Sequence, residues 1–146
     1  MADLPTISKE NKASRTELTN FVNSLSPTQL NQEMPAGWNV LAVLAHLAFW
    51  DQRAITLLEK WQREGICASP NDTDVINETS RPFLRTLNPE QGKNLVLATA
   101  LEIDDLIDSL PETFFSDVLE NGTTVHLNRA EHRRMHIEEI KHALDR

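Results

Sequence analysis

A chain of 146 residues that is 40% apolar and 25% charged, with 7 Pro and 4 Gly, has the balance of one globular domain over residues 1–146, not of a linker, a collagen or a disordered tail. Acidic residues outnumber basic ones 22 to 14, and the resulting charge of −8 repels a phosphate backbone, so no nucleic-acid partner is expected. The one cysteine, Cys67, excludes an internal disulfide framework and a Cys-rich zinc module.

Helical punctuation dominates the chain. Leu18, Phe21, Val22 and Leu25 recur at spacings of three and four and predict a first helix over about residues 7–25. Ser26-Pro27 follows as an N-cap with Pro at the first helical position, opening a short turn through Leu30, and Pro35-Ala36-Gly37 breaks the chain. Asn39 caps the strongest helix, Val40–Glu64, which Gly65 closes. At 1.5 Å per residue that helix is about 38 Å long. Its inner stripe is Val40, Leu44, Leu47, Asp51, Ala54, Leu58 and Trp61, with His46 at its edge between Val43 and Trp50. Residues 69–72 read as a loop, Asp74 as the cap of a short helix reaching Glu78 and Thr79, and Pro82 as a disruption. Asn88, Pro89 and Gln91 open the next long helix, whose stripe is Val96, Ala100, Ile103, Ile107 and Leu110 before Pro111. A polar connection containing Asn121-Gly122 then leads to a last helix over about 125–144, with Arg133, His136, Ile137, Ile140, Ala143 and Leu144 inward. Four long helices without intervening strands predict an all-α four-helix bundle. The long connection 66–87 can run back along the bundle, which would make the second and third long helices parallel.

Four of the five His fall between 126 and 142. His132 and His136, spaced i, i+4, place their rings on one helix face a turn apart, a geometry that suits two ligands of one metal. With His46 on a facing helix they would form an open three-His site. Alternatively, such a pair is surface or core-edge packing. Arg133 follows His132 where a zincin carries Glu, which excludes that kind of metalloprotease.

The run Gly37-Trp38-Asn39-Val40-Leu41-Ala42-Val43-Leu44-Ala45-His46-Leu47-Ala48-Phe49-Trp50-Asp51 resembles the second-helix signature of the DinB/YfiT-like metalloenzyme superfamily. The stretches Thr124-Val125-His126-Leu127 and His132-Arg133-Arg134-Met135-His136-Ile137 resemble its closing pattern, and Asp74-Val75-Ile76-Asn77-Glu78 is similar to its middle segment. The likeness runs in order over nearly the whole chain. It implies an up-down-down-up course and metal ligands at His46, His132 and His136, with zinc or nickel as typical ions. Implied activities are thiol-dependent S-transfer, isomerisation with a low-molecular-weight thiol cosubstrate, and hydrolysis of a small-molecule substrate; a homodimer is implied too. Met135 stands where the family often has another His.

Asp51 interrupts an apolar stripe, which costs several kcal/mol unless it is paired. It is expected either to accept a buried hydrogen bond, from an indole N–H or Arg133, or to serve the site as an outer acceptor for a ligand imidazole or as a general base. Arg129 and Arg133 are candidates for an anionic substrate or a thiol's carboxylate, and equally for local acids. Trp38, Trp50 and Trp61 read as core anchors, with Trp50 placed to wall a pocket. Cys67 reads as incidental, and His126 and His142 as solvent-facing. Residues 1–10 show no leader-like apolar run, and no window approaches the ~18 apolar residues of a span, so a cytoplasmic protein without a membrane partner is expected. The rival reading of function is a non-catalytic small-molecule-binding or stress-response bundle.

Overall fold

The computed structural model describes residues 3–145; Met1, Ala2 and Arg146, part of the expected single domain, lie outside the described residues. Seven α-helices occur in that span: α1 (Leu4–Ser24), α2 (Pro27–Leu30), α3 (Val40–Glu64), α4 (Thr73–Leu84), α5 (Pro89–Asp108), α6 (Glu112–Asn121) and α7 (Ala130–Leu144). No strand occurs among the described residues, only an isolated bridge between Glu33 and Asn39, so the chain is all-α. The four long helices touch in a ring: α3 against α5, α5 against α1, α1 against α7, and α7 against α3.

Three of the N-caps read from the sequence are present. Ser26 and Gln29 form a reciprocal capping box on α2, Asn39 Oδ1 accepts from the Ala42 amide at 2.8 Å, and Asn88 Oδ1 accepts from Gln91 at 2.8 Å. Three boundaries differ from expectation. Asp72, not Asp74, caps α4, and the helix continues through Pro82 to Leu84. The ring of Pro82 fits helical φ, and the one carbonyl it leaves without an amide belongs to exposed Glu78, where water can serve it. The supposed polar connection contains α6, whose Phe115 and Val118 are buried beside Trp61. Finally, α7 begins at Ala130 and not near 125, because Val125 and Leu127 both turn inward and tertiary hydrogen bonds hold the backbone before it.

Two apolar clusters fill the interior. One gathers Leu18, Val22, Leu44, Leu47, Val96 and Ile140; the other gathers Ile7, Ala54, Leu58, Trp61, Ile103 and Phe115. Between them along the helices lies a buried polar layer of Asn11, Ser14, Asp51, Asp104, Arg129 and Arg133. By length and composition α3 passes as a membrane span, contrary to the expectation that no window does; 72% of its apolar window is buried inside the bundle, as in a core helix.

Gly122 marks where α6 meets the second cluster. Its φ of −96° suits any residue, but a Cβ there would stand 2.6 Å from Cζ3 of the Trp61 indole. The ring is fully buried and cannot swing aside. We therefore expect Gly122→Ala to lose about 1–3 kcal/mol, read from the urea midpoint, as overpacked cores do.

Candidate metal centre

His46, His132 and His136 converge. One ring nitrogen of each lies within 4.8 Å of the others, and Nε2 of His132 and Nε2 of His136 are 3.1 Å apart. The ring centroid of His46 is 5.4 Å from that of His132 and 5.0 Å from that of His136. The i, i+4 spacing stacks the two α7 rings on one face, and the α3–α7 contact brings His46 to them.

The chain before α3 closes one side. Ala36 and Gly37 take left-handed backbone angles, φ 61° and 83°; for Ala this costs about 1–2 kcal/mol. Arg85 Nη1 holds the turn by donating to Gly37 O at 2.6 Å. The turn sets Trp38 edge-on to His46, with ring centroids 5.5 Å apart. Trp50, one turn along α3, also stands edge-on to His46, with ring centroids 6.5 Å apart, and donates from Nε1 to Asn77 Oδ1 on α4 at 2.9 Å. Asn77, which lies in the segment similar to the family's middle one, thus fixes the wall of the site.

Burial sets the protonation state. It holds the pKa of His46 and His136 down to about 4 and that of His132 to about 3, with neighbouring positive charge adding to the shift for His46 and His132. All three rings are neutral at pH 7, with lone pairs free to coordinate. Nδ1 of His46 and Nδ1 of His136 are buried without a hydrogen-bond partner. Glu139 Oε2, one turn after His136, stands 3.6 Å from its Nδ1, just beyond a hydrogen bond. Two nitrogens bound tetrahedrally to zinc at ~2.0–2.1 Å stand about 3.3 Å apart. The 3.1 Å pair is close to that spacing, and without an ion the same distance suits an Nε2–H···Nε2 hydrogen bond between two neutral rings. These residues fit a divalent ion and could hold one.

Asp51 is buried and salt-bridged, but to neither expected donor. Its Oδ1 accepts from Nε and Nη2 of Arg129 at 3.1 and 2.9 Å. The Trp50 indole goes to Asn77 instead, and Arg133 goes to Asp104. Burial pushes the Asp51 carboxyl above the usual carboxylate range, against the opposing pull of Arg129. Asp51 is not among the residues that line the cleft beside the histidines. Arg133 is 1% exposed and donates to both Asp104 oxygens, at 3.0 and 2.8 Å, so it is unavailable to a substrate. His126, His142 and Cys67 are exposed, and Met135 is 53% exposed at the cleft rim.

Asn11 on α1 is a residue the sequence reading passed over. Its Nδ2 donates to Leu127 O at 2.9 Å, and its Oδ1 accepts from the Arg129 amide at 2.7 Å. These two bonds fix the backbone that enters α7 and so the start of the helix carrying both histidines. Asn11→Leu orphans a buried carbonyl and a buried amide; we expect a loss of about 1–3 kcal/mol for each, visible as a lower urea midpoint.

The cleft encloses about 980 Å³, with the three histidines, Trp50, Arg53 and Arg129 among its lining. That is room for a small molecule. No curated protein and no solved structure matches this chain. A model of the DinB superfamily matches residues 10–143, covering every helix that contributes to the cluster. The chain belongs to the DinB superfamily.

Proposed function

We propose that this protein is a metal-dependent enzyme in which His46, His132 and His136 hold one divalent ion, zinc or nickel. The reaction is thiol-dependent S-transfer to, or hydrolysis of, a small molecule in the adjacent cleft. The convergence of three neutral imidazoles within 4.8 Å carries this reading. When bound, the ion supplies Lewis acidity toward a substrate oxygen or a thiol sulfur. Trp38 and Trp50 exclude water from one side of the cluster, and the open cleft admits substrate from the other. Asp51 supports the site as the anchor of Arg129, three residues before His132, and not as a proton acceptor.

With this reading go an up-down-down-up four-helix course, with α4 inside the long return between α3 and α5, a cytoplasmic location and a homodimer. The test is elemental analysis of purified protein, followed by turnover assays pairing thiols with electrophiles and esters. One ion per chain is expected, with turnover lost on chelation and restored by the same metal. Protein that takes up no zinc or nickel after loading would overturn the reading. Light scattering at micromolar concentration tests the dimer, and a monomer mass rejects it.

A further inference from the structure

Arg53 is a half-buried cation of the cleft wall that the proposed reaction does not yet use. His46, Trp50 and Arg53 are spaced i, i+4, i+7, so they lie on one face of α3 and span about 10 Å of helix rise. The Arg53 guanidinium carbon lies 5.8 Å from the centroid of the Trp50 ring, which separates it from His46. Nη1 donates to Thr124 O at 2.9 Å, and Nη2 donates to Ser69 O at 3.1 Å and Ser69 Oγ at 3.3 Å. Those bonds tether two loops, yet they leave Nε–H and one Nη1–H of its five donors without a protein acceptor among the described residues.

Among the described residues no carboxylate lies within 4.0 Å of Arg53, Arg63 or Arg81, whereas Arg15, Arg85, Arg129, Arg133 and Arg134 all have one; of the three without an acid, only Arg53 lines the cleft. The charged side chains lining the cleft are Arg53, Arg129 and a single acid, Glu131, which is exposed. Burial and the like charge of Arg129 hold the Arg53 pKa below its ordinary value. A chain of net charge −8 has therefore kept an unneutralised cation inside the cleft beside the histidines. Three neutral imidazoles add no negative charge beside it.

We propose that Arg53 is an anion-recognition residue, and that the substrate is an organic anion. Its carboxylate or phosphate docks on Arg53, its apolar middle lies along Trp50, and its far end reaches the three histidines. The anion site stands on Arg53 itself; only its link to chemistry at the far end rests on the metal reading above.

Calorimetric titration of the full chain, metal-free and zinc-loaded, tests this with 4-phenylbutyrate, 2-phenylethyl phosphate and neutral 4-phenylbutyramide. At least one of the two anions is expected to bind about tenfold or more tightly than the amide in both metal states, because a desolvated guanidinium forms charge-assisted pairs. The better anion identifies which headgroup the site prefers. Arg53→Gln, which keeps an amide donor for the loops, is expected to bring anion and amide within about threefold of each other; Arg53→Lys should retain more of the preference than Gln does. The proposal is overturned by equal binding of anions and amide, by no measurable anion binding, by a preference that survives in Arg53→Gln, or by a preference seen only with zinc present, which would make the ion the receptor. A Lys variant no better than the Gln variant also overturns it, since the tethered loops and not the charge would then shape the site. Wild-type protein that fails to hold zinc while keeping the anion preference would sink the metal reading alone.

Discussion

Replacing Arg133 with Ala is expected to remove about 3–5 kcal/mol of stability, the usual cost of stripping one partner from a buried ion pair. The guanidinium, 1% exposed, makes five contacts in the polar layer. Two go to Asp104 at 3.0 and 2.8 Å, two to the backbone oxygens of Asn11 and Ala100 at 2.9 and 3.3 Å, and one to Ser14 Oγ at 3.2 Å. Ala would leave Asp104 charged and buried with only Arg15, 3.6 Å away, to offset it. A domain of this size has about 5–15 kcal/mol in all. The melting temperature should therefore fall by about 6–20 °C. Pairing Arg133→Met with Asp104→Leu should recover most of the loss, since an apolar replacement of a whole buried pair is often neutral or stabilising. Urea midpoints of the single and double variants decide the point. A cost below about 1 kcal/mol for Arg133→Ala would mean that the layer is hydrated and the pair behaves like a surface one.

That layer also explains how the site keeps its geometry. The histidines of α7 flank Arg133, and the backbone leading into α7 is held by Asn11. Arg129 and Arg133 leave the same short stretch and pin it to α3 through Asp51 and to α5 through Asp104. All four long helices are thereby linked by polar bonds at one level, between two apolar clusters that could tolerate sliding. Directional bonds fix a register that apolar contact alone leaves loose. The cost is desolvation of four charges; the gain is a fixed position for the histidine pair.

The helices and their caps were legible because capping and apolar periodicity are local signals. Asn39 and Asn88 announce their helices whatever packs against them. The histidine cluster was legible in part: i, i+4 spacing joins His132 to His136, but nothing local joins His46 to them. That link rested on the place of His46 on a facing helix and on the family likeness. What stayed hidden was tertiary. The start of α7 moved because Asn11, more than a hundred residues away, bonds the backbone at 127 and 129. Asp51 was correctly singled out as a carboxylate needing a partner, but the partner depends on the helix phase of α7 and proved to be Arg129. A signal for the polar layer was nonetheless present. Asn11 and Ser14 lie on the α1 stripe of Ile7, Leu18 and Val22, and Asp104 lies beside Ile103 and Ile107, polar residues in positions that periodicity assigns to the core.

His46→Ala should behave in the opposite way to Arg133→Ala, and the contrast separates function from architecture. Its ring is buried, its Nδ1 has no partner, and burial already holds it neutral. Removing it orphans no donor or acceptor, so the metal-free variant should melt within a few degrees of the metal-free wild type, the truncated side chain leaving only the space of a ring at the cleft edge. Loss of one of three ligands should weaken metal binding by more than the ~10–100-fold typical of losing an outer partner. With zinc at about a hundred times its dissociation constant, the wild type gains about 2.7 kcal/mol by mass action. That gain raises the melting temperature by about 5–10 °C in a domain of this size. The variant should show almost none of it. Paired thermal melts with and without zinc read both quantities in one experiment. If zinc leaves the wild-type melt unchanged while His46→Ala lowers stability in its absence, the three rings are packing residues and the cluster is not a metal centre.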